Sequence, residues 1–304
     1  MKRELNRLLD KLYEIIPEER VLLNESMSEH TTFRIGGPAK YFISPANEKE
    51  ISSLLDLSGE EGIPYYIIGN GSNILVSDNG IDGLVISIGE NMSALSLNGD
   101  IITAGAGARL SKTAAFALNN SLTGFEHLAG IPGTVGGAVY MNAGAYGTEI
   151  ADVCESVRFL ENGEIKELSG KDLNFAYRKS VFSDINAVIL SARFKLKKGD
   201  YDEIKNEMEL TSAKRRAKQP LEYPSAGSAF KRPDGYFAAR LIEDCGLKGV
   251  SVGGAEVSEK HSGFIINKGG ATAADIKELI GKVRAEVEKK TGVLLEPEIR
   301  FIGD

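Results

Sequence analysis

Residues 124–147 read GFEHLAGIPGTVGGAVYMNAGAYG and hold seven of the chain's 34 glycines with one formal charge, Glu126. A solvent-facing loop would be more polar, and a core helix would not carry Gly130, Gly133, Gly136, Gly137 and Gly144. Glycine inside regular structure costs about 0.5–1 kcal/mol relative to alanine, and it lets another group approach the backbone closely. So dense a run marks main chain that must fit flat against something, with Ala138, Val139, Met141 and Ala143 as small apolar filling. Two readings stand. Buried backbones cross tightly here, or backbone N–H groups cradle the oxygens of a flat, phosphorylated cofactor. Asn142 turns the chain before Gly144 and can hydrogen-bond backbone or ligand.

Upstream, a strand-like run at 63–68 ends in Gly69-Asn70-Gly71-Ser72-Asn73. The glycines allow close approach and Ser72 and Asn73 offer side-chain donors, which is the make-up of a phosphate loop. A hairpin turn also favours Asn-Gly. The next residues, Ile74, Leu75 and Val76, continue as strand and not as helix, so a Rossmann-type dinucleotide fold is not indicated, and no GxxxxGK[ST] occurs. Nearer the N-terminus, Leu5, Leu8, Leu9, Leu12 and Ile15 fall at helical spacing over residues 2–16. Thr31, Thr32 and Phe33 read as an extended piece turned by Gly36-Gly37-Pro38, with Arg34 either solvated or clamping an anion. Asn47 with Glu50 three residues later starts a helix carrying Ile51, Leu54 and Leu55. Residues 105–110 lead into an alanine-rich helix over 111–118.

Downstream, residues 153–160 and 187–196 alternate as antiparallel strands. Between them NFAYRKSVF places Tyr177 and Arg178 among Phe175 and Phe182, which holds the arginine near apolar surface, in a ligand site or an ordinary ion pair. A composition shift near Gly199 marks a domain boundary, followed by a charged helix over 201–218 that is a solvated face or steers phosphates. In PSAGSAFKRPDG the glycines place Ser228 in a tight turn before Lys231 and Arg232. No GxSxG elbow is present and no histidine is near, which argues against a Ser-His-Asp hydrolase. A helix over 236–245 follows, and Thr272 with Asp275 caps another that stops at Gly292. The closing LEPEIRFIG is extended with Glu298 inside it.

The 304 residues allow two or three domains. The net charge of −7 disfavours nucleic-acid or anionic-membrane binding, and no apolar run reaches membrane-spanning length. Two cysteines without a CxxC, and three histidines far apart, give neither a disulfide framework nor a metal motif, so no metal is expected. The N-terminus lacks an apolar signal core, and a cytoplasmic protein is expected. Nothing here sets an oligomeric state.

Taken in order, GNGSN, AGIPGTVGGAVYMNAGAYG, YR-x-S-x-F, PSAGSAFKRP, VSEKHSGFIIN and LEPE-I-R resemble the UDP-N-acetylenolpyruvoylglucosamine reductase (MurB) family over about residues 34–302. The resemblance implies an α+β chain. Its first part, residues 1–199 with a split near 100–110, would be a two-part FAD-binding domain of the vanillyl-alcohol-oxidase type. Residues 200–304 would be an α/β domain for the UDP-sugar. Only 49 residues separate Arg178 from Ser228, which implies the shorter branch without an inserted substrate loop. The implied reaction uses NADPH and noncovalent FAD to reduce the enolpyruvyl group of UDP-N-acetylglucosamine enolpyruvate, giving a peptidoglycan precursor. Ser228 is then the proton donor, Arg178 and Glu298 stabilise the enolate, and Tyr177 contacts substrate. Residues Gly69, Asn70, Gly71, Ser72 and Asn73 meet the flavin phosphates, with Ile131, Pro132, Gly133, Ala138, Asn142, Ala143 and Gly144 along the cofactor and Arg34 a further candidate. Arg215, Lys218 and Lys231 are candidates for the diphosphate. Some relatives of the wider fold attach flavin through His or Cys, but this family does not, so His127 is read as structural. An alcohol-oxidising flavoenzyme and a flavin-free binding protein are the competing readings.

Overall fold

The structure, a computed structural model, describes residues 2–303, with side chains from Arg7 onward. The N-terminal pattern forms the helix Lys2–Ile15 and buries Leu8 and Leu12, while Leu5 lies outside the described side chains. The next helix, Glu48–Glu61, starts where Asn47 Oδ1 accepts the Glu50 N–H at 2.9 Å. The Glu50 carboxylate is gripped by Arg20 at 2.7 and 2.9 Å, which holds it below the usual carboxylate range.

By its internal contacts the chain divides into two units. The first runs up to Leu23 and includes Tyr41–Asn70 and Gly83–Ala213; the second is Asn24–Lys40, Gly71–Asp82 and the residues from Lys214 on. The first unit contains a five-stranded antiparallel sheet in the order Glu164–Ser169, Cys154–Glu161, Val188–Lys195, Ile101–Gly105, Leu95–Asn98. A four-stranded sheet runs Val21–Ser26, Pro38–Ile43, Ile81–Ser87, Tyr65–Ile68, and the unit boundaries fall inside its first three strands. Its last pair is parallel, Tyr65 opposite Leu84 through Ile68 opposite Ser87. The sheets change over at residues 88–94, ahead of the expected split near 100–110. One apolar cluster, including Leu54, Ile86, Ala104, Val157 and Phe194, serves both. Buried aliphatic and aromatic side chains of this kind each contribute about 1.5–3 kcal/mol.

In the second unit an antiparallel sheet runs Ser225–Ser228, Phe264–Asn267, Ala255–Val257, Ser251–Val252. The helix Ala273–Thr291 buries Ile276, Leu279, Ile280, Val283 and Val287 in that unit's core. Thr272 and Asp275 form its capping box, and its first free N–H groups, on Ala273 and Ala274, donate to the Asp78 carboxylate at 2.7 and 3.0 Å. Ile74–Val76 pairs in parallel with Arg300–Ile302. These non-local bonds place residues 24–40 and 71–82 with the C-terminal chain, where the sequence implied an unbroken first domain to residue 199. The division in the contacts falls after Ala213, inside the helix Tyr201–Lys218, so the composition shift near Gly199 marks an exposed charged helix and not a contact boundary. Residues 31–33, expected to be extended, form a turn in which the Arg34 N–H donates to the Thr31 carbonyl at 3.1 Å. Among the described residues no helix is long and apolar enough to cross a membrane, and no group of three or more His, Cys, Asp or Glu is placed to hold a metal ion.

Candidate active site

In the first unit, strand Tyr65–Ile68 delivers Gly69 and Asn70 to the glycine-rich stretch. A Cβ on Gly69 would land on Thr134 Oγ1, and Asn70 Nδ2 donates to the Pro132 carbonyl at 2.6 Å. The loop before helix Leu110–Asn119 lies along residues 133–136. There the Leu110 N–H donates to Gly133, Val135 to Ala108 and Gly136 to Ala106, at 3.1, 2.8 and 2.8 Å. Gly136 is therefore accounted for by backbones crossing, since a Cβ there would stand 3.0 Å from that of Ala106. Gly144 is accounted for in the same way by Glu149 and the Thr148 carbonyl. Gly137 is not: it is exposed, and its Cβ would find only Thr134 Oγ1, at 3.7 Å. The two readings of the stretch thus divide among its glycines.

Ile131 and Gly133 are half-buried, Pro132 is exposed, and Ala138 is buried on the short helix Val135–Tyr140. Asn142 is 1% exposed at φ 42; its Nδ2 donates to Glu149 Oε2 and the Ala176 carbonyl at 2.9 and 3.0 Å, and its Oδ1 accepts the Ala151 N–H at 2.9 Å. With its carboxamide so engaged, Asn142 offers a cofactor main chain only. Ala143 is fixed by its N–H to the Ala138 carbonyl at 2.8 Å, and Gly144 pairs with Glu149 in a tight hairpin. His127 is held at both nitrogens, Nδ1 against Thr148 Oγ1 at 2.9 Å and Nε2 against Glu207 Oε1 at 3.0 Å.

Arg178 belongs to a second hairpin. Ala176 and Lys179 exchange backbone hydrogen bonds at 2.9 and 3.1 Å, which leaves Tyr177 and Arg178 at the tip. Arg178 sits at φ 55, its Nη2 donates to the Gly144 carbonyl at 3.3 Å, and its guanidinium lies 4.9 Å over the Tyr177 ring. An L-residue in this left-handed region costs about 1–2 kcal/mol, and such strain gathers at functional sites. The structure therefore brings Arg178 and Tyr177 to the Gly144 end of the glycine-rich stretch. Between Arg178 and Ser228 the chain is taken up by the turn Val181–Ser183, the strand Val188–Lys195 and the helix Tyr201–Lys218.

In the second unit Ser228 ends a strand and is not in the tight turn expected. Ser225 opposes Ile266 and Ser228 opposes Phe264, so three steps on one strand face two on the other, and the extra residue is accommodated by Gly227 at φ 75. A bulge with glycine in the left-handed region re-aims the next side chain. Ala226 and Ala229 are buried while Ser228 is exposed. Glu298 runs alongside: its N–H donates to the Ala229 carbonyl at 2.9 Å, and Phe230 bridges to Pro297. Asn73 joins this group through Nδ2, which donates to the Glu298 carbonyl at 3.2 Å. Thr32 connects the other side. Its N–H donates to the Gly71 carbonyl at 3.2 Å and its hydroxyl to the Ser225 carbonyl at 2.7 Å. Gly71, at φ 60, admits this segment because a Cβ would land on the His30 carbonyl oxygen.

Whether these residues suit a dinucleotide is tested by their donors. The main-chain N–H groups of Gly71, Ser72 and Asn73 make no hydrogen bond among the described residues, and consecutive donors of this kind fit a diphosphate. Exposed Arg34, at φ 54, and the cations Arg215, Lys218 and Lys231 belong to the same unit. Arg215 Nε donates to Gln219 Oε1 at 2.8 Å, and Lys231 Nζ pairs with Glu296 at 3.2 Å. His261 turns its ring edge onto Phe264, and burial lowers its pKa, which keeps the ring neutral near pH 7. Thr32, read in the sequence only as part of an extended piece, and Thr134 are not among the site residues expected there. Thr134 had one visible signal, its place just ahead of Val135 as a helix cap.

Residues 219–302 match the family described as UDP-N-acetylenolpyruvoylglucosamine reductase, C-terminal domain, and residues 39–169 match an FAD binding domain. The chain is 50% identical over 298 residues to the UDP-N-acetylenolpyruvoylglucosamine reductase of Caldanaerobacter subterraneus subsp. tengcongensis, covering 98% of each chain. It is 51% identical to that of Agathobacter rectalis, covering 96% of each. The crystal structure of the reductase (MurB) from Thermus caldophilus superposes with a TM-score of 0.81 at 36% identity, over 93% of this chain and 98% of that one. A glucose dehydrogenase, Phl p 4.0202, shares the fold over 64% of this chain and 44% of its own, with a TM-score of 0.51 at 16% identity. Matched at about half its residues over nearly its whole length, this α+β chain, with its FAD-binding part and C-terminal domain, belongs to the UDP-N-acetylenolpyruvoylglucosamine reductase (MurB) family.

Proposed function

We infer that this chain reduces the enolpyruvyl group of UDP-N-acetylglucosamine enolpyruvate with NADPH, giving UDP-N-acetylmuramate for peptidoglycan precursor synthesis. The reading rests on family membership together with one local observation: Ser228 is exposed at a bulge beside the segment that carries Glu298. Bound FAD supplies the hydride-transfer chemistry between NADPH and the substrate.

Adding hydride to the enolpyruvyl β-carbon leaves negative charge on the α-carbon and its carboxylate. A preorganised cation stabilises such charge, and the guanidinium of Arg178, held on a strained hairpin, takes that role. Ser228 Oγ gives its proton to the α-carbon, completing the addition of one hydride and one proton across the double bond. Glu298, fixed through both main-chain polar groups, orients the polar groups around that proton. The N–H groups of residues 71–73 and the main chain of 131–133 and 142–144 are assigned to the dinucleotide, and Arg34 is a further candidate. Gly137 leaves room for it because no protein atom crowds that face. Tyr177 contacts the sugar nucleotide, and Arg215, Lys218 and Lys231 meet its diphosphate. A nucleotide-linked substrate and NADPH place the reaction in the cytoplasm.

The test is anaerobic. The protein is reduced with NADPH until the yellow flavin absorbance is lost, and the enolpyruvyl sugar nucleotide is then added. Return of the yellow colour with a one-to-one yield of the lactyl product is expected. Flavin that stays bleached, or that reoxidises with an alcohol product and no dependence on the sugar nucleotide, overturns the reading.

A further inference from the structure

The parallel pair Ile74–Val76 with Arg300–Ile302 ends in an irregular way. Its rungs run regularly at first: the Ser77 N–H donates to the Ile302 carbonyl at 2.8 Å and the Arg300 N–H to the Asn73 carbonyl at 3.0 Å. Evenly spaced parallel bonding makes the next rung an Asn73 N–H donated to the Glu298 carbonyl. That bond is not made. The Asn73 carboxamide takes its place, with Nδ2 donating to the same carbonyl at 3.2 Å, and the Asn73 main-chain N–H is left without a partner among the described residues.

We infer that Asn73 is a positioning residue for Glu298, its side chain replacing the last ladder rung. The inference rests on the reading of Glu298 as part of the reaction site. Glu298 is then fixed from both sides, its N–H on Ala229 and its carbonyl on Asn73. The substitution has a second effect. A backbone donor drawn into the ladder cannot serve an anion, and the side chain keeps the Asn73 N–H in line with those of Gly71 and Ser72. One asparagine thereby has two effects, holding the segment that carries Glu298 and keeping the loop's donors available. A simple phosphate ligand, as its place in GNGSN implied, would have no reason to bond Glu298.

The experiment compares wild type, N73A, E298Q and the double variant, each loaded with saturating FAD. Reduction by NADPH is measured in each variant at saturating FAD and serves as the internal reference for its reoxidation. Reoxidation by the enolpyruvyl sugar nucleotide is expected to slow about tenfold, the scale of one lost hydrogen bond. Residues acting through one another are non-additive, so N73A/E298Q is expected to be no slower than E298Q alone. FAD Kd, read from flavin fluorescence, is expected to rise about tenfold in N73A as the loop that carries its N–H loses its side-chain anchor on residue 298. Unchanged reoxidation in N73A, losses that multiply in the double variant, or an unchanged FAD Kd each overturn the role. Wild-type flavin that the sugar nucleotide does not reoxidise overturns the functional reading and this role with it. Wild-type turnover with an unaffected N73A overturns this role alone. If N73A does not fold, N73D keeps the shape without the donor and carries the same expectation for reoxidation.

Discussion

At Gly136 a Cβ would stand 3.0 Å from that of Ala106, whereas at Gly227 no atom lies within 4 Å and the backbone sits at φ 75. In the glycine-rich stretch of the first unit, Gly136 and Gly144 serve the close approach of neighbouring chain. The polar side chains there are turned onto protein, Asn142 onto Glu149, Ala176 and Ala151, and His127 onto Thr148 and Glu207. In the second unit a single glycine at a bulge points one hydroxyl outward. Many glycines together report how closely main chain must pack. One glycine beside a register shift reports where a side chain is aimed.

The largest effect should come at the aimed residue. Ser228→Ala is expected to leave reduction by NADPH near normal and slow reoxidation by substrate by about 10³, within the 10²–10⁴ typical of general acids. Stopped-flow measurement of the two half-reactions checks this, and equal slowing of both would mean Ser228 is not the proton donor. Gly227→Ala should follow at about tenfold, because alanine at φ 75 costs roughly 1–2 kcal/mol and shifts the bulge that turns Ser228 outward.

Sequence alone carried the local signals well. The Thr272–Asp275 capping box, the Asn47 cap, the charged helix over 201–218 and the alternating strands around 153–160 and 187–196 all form where the pattern puts them. What it could not carry was pairing across distance. Nothing in ILV at 74–76 announces a partner at 300–302, and nothing in Asp78 announces that it caps a helix starting at Ala273. The bulge at Gly227 was missed for the same reason, since a bulge is defined by the opposing strand. Among the site residues, Ser228 and Glu298 prove to be neighbours in one unit, while the Asn142 carboxamide, a ligand or backbone partner by sequence, is taken by protein.

Within the glycine-rich stretch the comparison can be sharpened at adjoining residues. Gly136→Ala should destabilise the protein by about 1–3 kcal/mol, the usual cost of overpacking. Gly137→Ala meets no protein atom closer than 3.7 Å and sits in a helix, so it should stabilise the flavin-free protein by about 0.5–1 kcal/mol. The same substitution is expected to weaken FAD about tenfold if that face is reserved for the cofactor. Urea unfolding and FAD titration of the two variants separate the cases. Matching destabilisation at both positions would make the stretch a packing element throughout.

The smallest effect at neutral pH belongs to Cys154, which follows the stretch on the strand Cys154–Glu161. Burial, with Glu155 beside it, pushes its thiol up to about 12 from an ordinary 9.0. The folded thiol keeps its proton where the unfolded one has lost it, so the unfolded state binds fewer protons between about pH 9 and pH 12. Stability must fall with rising pH across that window, by at most about 1.4 kcal/mol per pH unit, and be unaffected below it. Urea titrations of wild type and Cys154→Ala at pH 7, 8, 9 and 10 isolate this contribution, because every other titrating group is common to both. A difference flat to about pH 8 and falling beyond pH 9 is expected; a difference that stays flat through pH 10 would mean an exposed thiol of ordinary pKa, and one that rises from near pH 7 a reactive thiolate. The same raised pKa bears on the flavin. A protonated, half-buried Cys154 is a poor nucleophile, and His127 has both ring nitrogens engaged, so neither offers an attachment point and acid precipitation should release all of the FAD into the supernatant.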